Sequence, residues 1–300
     1  MKNSHSKYTW KLPVSAVVIA GALTLLAWTG ILRNADLAVS DALYQSRSAL
    51  DGSIVLVGID QRALEELGPY HQWGRDVMAQ VLAALNASED CRPAVIGIDV
   101  LYTGETRARA DAWLAEEAGK YGNVVAACLA EYGSVLTEGA DGELYLDTAS
   151  ITSLDEPYSA LREATSPGHI NAMLDTDGIL RHHLLKIDLP DGRSIPSMAL
   201  AVAEKYREYH GLEPVSLPPT DSGGFWYLPF CGLPGAFDES ISVSDLLSGR
   251  RSPEYFAGKI VLIGPYAVGL QDSYLTAIDH ASQMYGVEYQ ANAVQALLWG

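Results

Sequence analysis

The apolar rhythm of this chain changes several times, and each change predicts a different element. Residues 12–32, LPVSAVVIAGALTLLAWTGIL, form one unbroken run of 21 positions without a charge. At about 1.5 Å of rise per residue, a helix of that length covers a hydrocarbon core of about 30 Å, so the run predicts a transmembrane helix. A cleaved secretory signal is the rival reading. Its apolar stretch is normally about 7–15 residues and ends at a small-x-small site. Here the run leads into Ile31, Leu32 and Arg33, which favours an uncleaved anchor. Lys2, Lys7 and Lys11 precede it, so the positive-inside bias keeps the N-terminus in the cytoplasm and exports the rest.

Beyond the anchor, LAVSDALYQSRSAL (37–50) predicts a helix that continues from the membrane or rests on the exported part. The pattern then turns to short, β-branched apolar runs: SIVLVGID (53–60), PAVIGIDVLY (93–102), NVVAACLA (123–130) and GKIVLIG (258–264). Such runs suit strands buried on both faces. Between them, RDVMAQVLAALNAS (75–88) places Val77, Val81, Leu82 and Leu85 at helical spacing, and TRARADAWLAEEAGKYG also reads as a helix. Alternating strands and helices imply right-handed crossovers. The predicted class is α/β, a mostly parallel or mixed sheet with flanking helices, preceded by one transmembrane helix. Residues 131–166 are polar and read as an irregular excursion. GHINAML and ILRHHLL flank a turn, SMALAVAEKYREYHG (197–211) is an amphipathic helix, and FWYLPF (225–230) a strand. SVSDLLSG (242–249) is a short helix opening at a Ser cap, and GVEYQANAVQALLWG a terminal helix. The expected organisation is a cytoplasmic tail (1–11), an anchor (12–32) and an exported domain (33–300).

Charge narrows the partners. The exported part carries 17 Lys and Arg against 37 Asp and Glu, a formal charge of −20. Such a surface repels nucleic acid, so no nucleic-acid partner is expected. Cys91, Cys128 and Cys231 are far apart, without the spacing of a zinc cluster. Export permits one disulfide, while Cys128, inside VVAACLA, reads as a small core residue.

Several loaded motifs fail on spacing. Asp175-Thr176-Asp177-Gly178 suggests a calcium loop. With Gly178 at position 6, however, position 1 is Met173 and position 12 is Leu184, where carboxylates are needed. The quartet reads instead as a tight turn with a permissive Gly178. His182 and His183 are neighbours that point to opposite faces of a strand and cannot chelate one ion together. GPYAVGLQ (264–271) has Leu270 and Gln271 where a phosphate loop needs Lys and Ser or Thr. No Gly-x-Ser-x-Gly elbow is present. No metal and no cofactor are expected.

A constellation remains. Asp60 and Asp99 each end an apolar strand, and Asp272 follows another. In an open α/β sheet the carboxyl ends of the strands line the usual ligand crevice. Arg75, in WGR, is expected to pair these acids or clamp an anionic ligand. Asn171, Asp175, Asp177 and Arg181 join the candidate set from the turn region. The plainer alternative for each is helix capping or an internal ion pair.

Taken in order, DALYQSR, IVLVGIDQRALEELG, WGR, AVIGIDVLY, GHINAMLDTDGILRHHLL, IPSMALAVA, GKIVLIGPYAVGLQDSYLT and GVEYQANAVQALL resemble the second type of CHASE domain. The resemblance covers residue 37 to the last residue. It implies an extracytoplasmic bacterial sensor of an unknown small ligand, anchored in the inner membrane and without catalysis of its own. It further implies a homodimer and a cytoplasmic output, a nucleotide cyclase, a diguanylate cyclase or a kinase. Further membrane spans usually follow in the family. Here ANAVQALLWG stops at Gly300, so the output is expected from a longer product or a separate chain. Two positions depart from the family pattern: Ala277 stands where Pro is common, and Gln290, before Ala291 and Asn292, stands where His is common. The competing readings are a membrane-tethered hydrolase using the carboxylates with His169, and a passive assembly module.

Overall fold

The structure, a computed structural model, describes residues 11–29, 31–45, 48–138, 144–270 and 272–300. It divides into two compact units, Met1–Ser46 and Arg47–Gly300. The first holds α1 (Lys11–Trp28) and α2 (Ile31–Tyr44). The run predicted as one span over 12–32 is therefore shared between two helices. Thr29 closes the first, its hydroxyl donating to the Leu26 carbonyl (2.9 Å), and Thr followed by Gly is a weak helix former. Among the described residues, no helix is long and apolar enough to cross a membrane.

The second unit carries strands β1 (Ile54–Asp60), β2 (Val95–Ile98), β3 (Val124–Glu138), β4 (Leu144–Asp155), β5 (Ser166–His169), β6 (Ile179–Leu180) and β7 (His182–Leu184). Further along are β8 (Lys186–Asp188), β9 (Ser194–Pro196), β10 (Phe225–Tyr227), β11 (Ile260–Tyr266), β12 (Ser273–Thr276) and β13 (Asp279–Tyr285). Its helices are α3 (Gln61–Leu67), α4 (Arg75–Leu85), α5 (Ala108–Gly119), α6 (Ser159–Ala164), α7 (Met198–Tyr209), α8 (Val243–Leu247) and α9 (Gly286–Trp299).

The main sheet runs β1-β11-β2-β3 with every pair parallel, and β5 adds to β3 in the same sense. Side chains alternate between its faces, as the two-residue period requires. Ile54, Leu56, Val95, Ile260 and Leu262 enter a core with α7 and α9. Val55, Val57, Ile96, Val261 and Ile263 enter a second core with α4, α5 and α8. Helices on both faces are why these strands read as continuous apolar runs. The mixed α/β class expected from the pattern is the one observed.

Two expectations change. Residues 131–138 and 144–155 are not irregular: β3 continues to Glu138 and β4 returns antiparallel, pairing Leu129 with Asp155 and Glu138 with Leu144. At its far end this ribbon exposes Leu136, Leu144 and Leu146 rather than burying a face. The alternation that marks a half-buried strand was therefore never written there. GHINAML and ILRHHLL flank the turn with strands that do not pair with each other. Gly168 and His169 pair parallel with β3, whereas Ile179 and Leu180 pair parallel with β12. The turn between them is real. The Gly178 N–H donates to the Asp175 carbonyl (2.8 Å), and Gly178 sits at φ 80°, a conformation only glycine adopts readily.

Candidate functional site

Four segments meet beyond the carboxyl ends of β2 and β11. Asp99 is the residue after β2, held by its N–H donating to the Ile263 carbonyl (2.8 Å). Gly264 lies beside it, and a Cβ there would come to 3.2 Å from the Asp99 Cβ, so glycine permits the approach. Asp272 follows β11 and leads into β12. Its backbone carbonyl accepts from the N–H of Gly286, the first residue of α9 (3.1 Å). Its carboxylate occupies the space a side chain at Gly286 would take, since a Cβ there would lie 2.6 Å from Asp272 Cγ. Tyr289 and Gln290 come from the first turn and a half of α9.

Together these residues bound a cavity of about 430 Å³, walled also by Tyr70, Tyr274, Leu129, Ile170, Ala172 and Pro265. That volume falls in the range of small-ligand sites. Asp99 is 6% exposed and Gln290 2%. Burial, then the charge of Asp272, pushes the Asp99 carboxyl up to about 8. Burial also raises Asp272, against a lowering hydrogen bond from Tyr274. The Gln290 Oε1 is buried and has no hydrogen-bond partner. No Lys, Arg or His is found among the described residues of the lining. The cavity is thus rich in acceptors and has no internal cation to meet them.

The other candidate residues are engaged with partners within the fold. Asn171 lies on the cavity wall, but its side chain is committed: Oδ1 accepts from the Ala130 N–H (3.0 Å) and Nδ2 donates to the Ala130 carbonyl (2.7 Å). Asp60 caps α3, accepting from the Ala63 N–H (2.8 Å) and from the Ser242 hydroxyl (2.6 Å). It lines a separate hollow of about 400 Å³ with Arg62, Glu65, Asp238 and Tyr266. Arg75 pairs neither Asp60 nor Asp99. Its Nη1 donates to Asp111 (2.8 Å), its Nη2 to the carbonyls of Thr103 and Gly104, and its guanidinium lies 4.2 Å over the Tyr158 ring. The expectation that it clamps the strand-end acids fails because Asp111, on α5, is nearer and equally buried.

Arg181 is 1% exposed and joins the two turn aspartates. Nη1 reaches Asp175 Oδ2 (2.7 Å) and Asp177 Oδ1 (2.9 Å), and Nη2 reaches Asp177 Oδ2 (2.9 Å). Its hydrogen bonds hold Asp177 below the usual carboxylate range. His169 is fully buried, and burial lowers its imidazole to about 4, so it stays neutral and out of solvent reach. It lines no part of the cavity. His183, also buried, instead meets the Tyr289 hydroxyl (2.6 Å) through Nδ1. Among the described residues, no group of three or more His, Cys, Asp or Glu could hold a metal ion.

The candidate set therefore splits. Asp99 and Asp272 meet in one cavity with Asn171 on its wall, while Asp60, Arg75 and the turn trio lie elsewhere. Tyr274, Tyr289 and Gln290 also line this cavity without a site signal in the sequence beyond the departure of Gln290 from a family pattern.

No curated protein and no solved structure matches the chain. A family model, the CHASE2 domain, matches residues 16–300. The chain belongs to the CHASE2 family, a sensory domain of signalling proteins.

Proposed function

We propose that this chain is a membrane-anchored, extracytoplasmic sensory module that binds a small solute in the Asp99–Asp272 cavity and conveys its occupancy through α9. The observation that carries the reading is shared walls. Gly286, Tyr289 and Gln290, all in the first turns of α9, line the same cavity as the two acids. An occupant touches the helix that ends the chain, and it shifts the helix only by its differential affinity for two arrangements. The anchor rests on the uncharged run 12–32 and on the exposure of Val14, Val17, Val18, Ile19 and Leu23 in α1. Residues 1–11 are then the cytoplasmic tail and 33–300 the exported domain. The proposed output is a cytoplasmic cyclase or kinase, and the proposed state a homodimer. In this reading Asp99 and Asp272 hold the ligand, while Asp60, Arg75, Asn171, Asp175, Asp177 and Arg181 hold the frame.

The test uses the full chain in detergent micelles. A thermal-shift screen of small solutes should yield a hit that raises the Tm, and Ala172→Trp, which fills the cavity, should abolish the shift. A best hit that still shifts the Ala172→Trp protein equally would overturn the site. Labelling of single cysteines placed before residue 12 from outside intact cells would overturn the topology.

A second reading is favoured by one observation, the pair of carboxyls with raised protonation. Such a pair shares a proton and can do acid–base work, as in glycoside hydrolysis. Turnover of a cell-wall glycan by the purified chain, lost on Asp99→Ala, would establish it.

A further inference from the structure

The geometry points to a small protonated alkylamine, mono- or diamine, as the ligand class of the Asp99–Asp272 cavity. The inference rests on that cavity being the sensory site and adds the chemistry that fills it.

Three features of the cavity converge. First, it holds two carboxyl groups and no Lys, Arg or His among the described lining residues. Elsewhere in the fold Asp111 meets Arg75, and Asp175 and Asp177 meet Arg181. Charges removed from water need a counter-charge, and the described lining residues provide none. Second, the Gln290 Oε1 is a buried acceptor without a donor. An orphaned buried carbonyl keeps its desolvation cost, and an N–H of a bound ammonium relieves it. This second point is independent of the acids, and an ammonium N–H answers it. Third, Tyr70, Tyr274 and Tyr289 contribute rings to the wall, beside Leu129, Ile170 and Ala172. Aromatic faces attract a cation, and the aliphatic patch accommodates a short methylene chain. An anion would meet repulsion from the two acids, and a neutral polyol would leave their charge uncompensated.

The arrangement couples binding to a proton. The groups facing Asp99 are Asp272 on the segment after β11 and Tyr274 on β12, with Tyr70 and Tyr289 on the remaining walls. With Asp99 pushed up to about 8, the empty cavity holds a proton at neutral pH. A bound ammonium favours the ionised pair and expels that proton. Affinity therefore rises with pH, by up to about ten-fold per pH unit between about pH 6 and pH 8, because one proton leaves as one ligand enters.

The test is isothermal titration calorimetry on the full chain in detergent, with putrescine as probe and butanediol and succinate as the neutral and anionic comparators. Putrescine should give saturable heat. Its affinity should increase from pH 6 to pH 8 and fall at least ten-fold in Asp99→Asn and in Asp272→Asn. Gln290→Leu should cost several-fold, and Gln290→Glu should instead tighten binding, a readout that loss of folding would not produce. Butanediol or succinate binding as well as putrescine would overturn the amine class and leave the cavity standing as the sensory site. Putrescine heat that is absent, or is unchanged in both Asp→Asn variants, would also overturn it. The solute screen with Ala172→Trp then decides the site itself, independently of the ligand class.

Discussion

Two regions of this protein each bring a pair of aspartates together, and they treat the charge in opposite ways. In the turn, Asp175 and Asp177 grip the buried Arg181, and its hydrogen bonds hold Asp177 below the usual carboxylate range. In the cavity, Asp99 and Asp272 face each other without a cation among the described lining residues, and Asp99 is pushed up to about 8. The residue type is the same. What differs is one guanidinium. Where the fold itself compensates the charge, the cluster is architecture and a ligand has nothing to add. Where it does not, compensation comes from a proton or from an occupant, which is the condition a binding site needs.

The sharpest way to break the contrast is to remove the guanidinium. Arg181→Ala leaves two aspartates around a buried void. Breaking a buried ion pair from one side costs about 3–5 kcal/mol, and the partial exposure of the two carboxylates places this case at the lower end, about 3 kcal/mol. Urea unfolding should show that loss. A loss under about 1 kcal/mol would mean that the turn is no more self-sufficient than the cavity.

Next in size are opposite pH dependences. A carboxyl whose folded value lies above its unfolded one holds its proton more tightly when folded. For Asp99 the stabilising contribution is complete below the unfolded value near 3.8 and is lost as pH climbs through about 8. Asp177 runs the other way: its contribution is present above 3.8 and is lost as pH falls through its lowered folded value. Asp99→Asn should thus flatten the decline in Tm on the alkaline side and raise the Tm at pH 8. Asp177→Asn should lower the Tm at neutral pH and flatten the acid side. Identical profiles for the two variants would erase the distinction.

The two regions also differ in how far the sequence announces them. The parallel sheet is legible because strands buried on both faces must be continuous apolar runs, as VLVG and VLIG are. The turn is legible in part: Asp-x-Asp-Gly predicts a tight bend, but the partner Arg181 carries no spacing signature of its own. The cavity is legible as a location, since Asp99 and Asp272 follow strand ends. Its walls are not. Tyr289 and Gln290 lie within one helix whose apolar rhythm looks like ordinary packing, and only the tertiary approach of α9 turns them toward the acids. Arg75 shows the converse. WGR before a helix promised an anion clamp, yet Asp111, distant in sequence, reaches the guanidinium first. Long-range charge pairing has no periodicity to betray it.

The smallest effect on stability separates the regions most cleanly, because it compares two glycines. Gly178, in the turn, sits at φ 80°, so Gly178→Ala forces a side chain into the left-handed region at a cost of about 1–2 kcal/mol. The cavity lies elsewhere and its binding should not change. Gly286 opens α9 with an ordinary backbone, so Gly286→Ala carries no such penalty, and alanine favours the helix. Its Cβ would, however, lie 2.6 Å from Asp272 Cγ. The carboxylate ends a short, half-buried side chain and can swing aside, so the Tm should move little. The swing takes Asp272 away from Asp99 and out of the cavity. Putrescine affinity should fall several-fold, and its rise with pH should shift to lower pH as Asp99 loses its neighbour's repulsion. A turn glycine that costs stability alone and a cavity glycine that costs binding alone would place structure in one region and sensing in the other. Equal losses of stability with unaltered binding would make the Asp99–Asp272 cavity a second piece of scaffold.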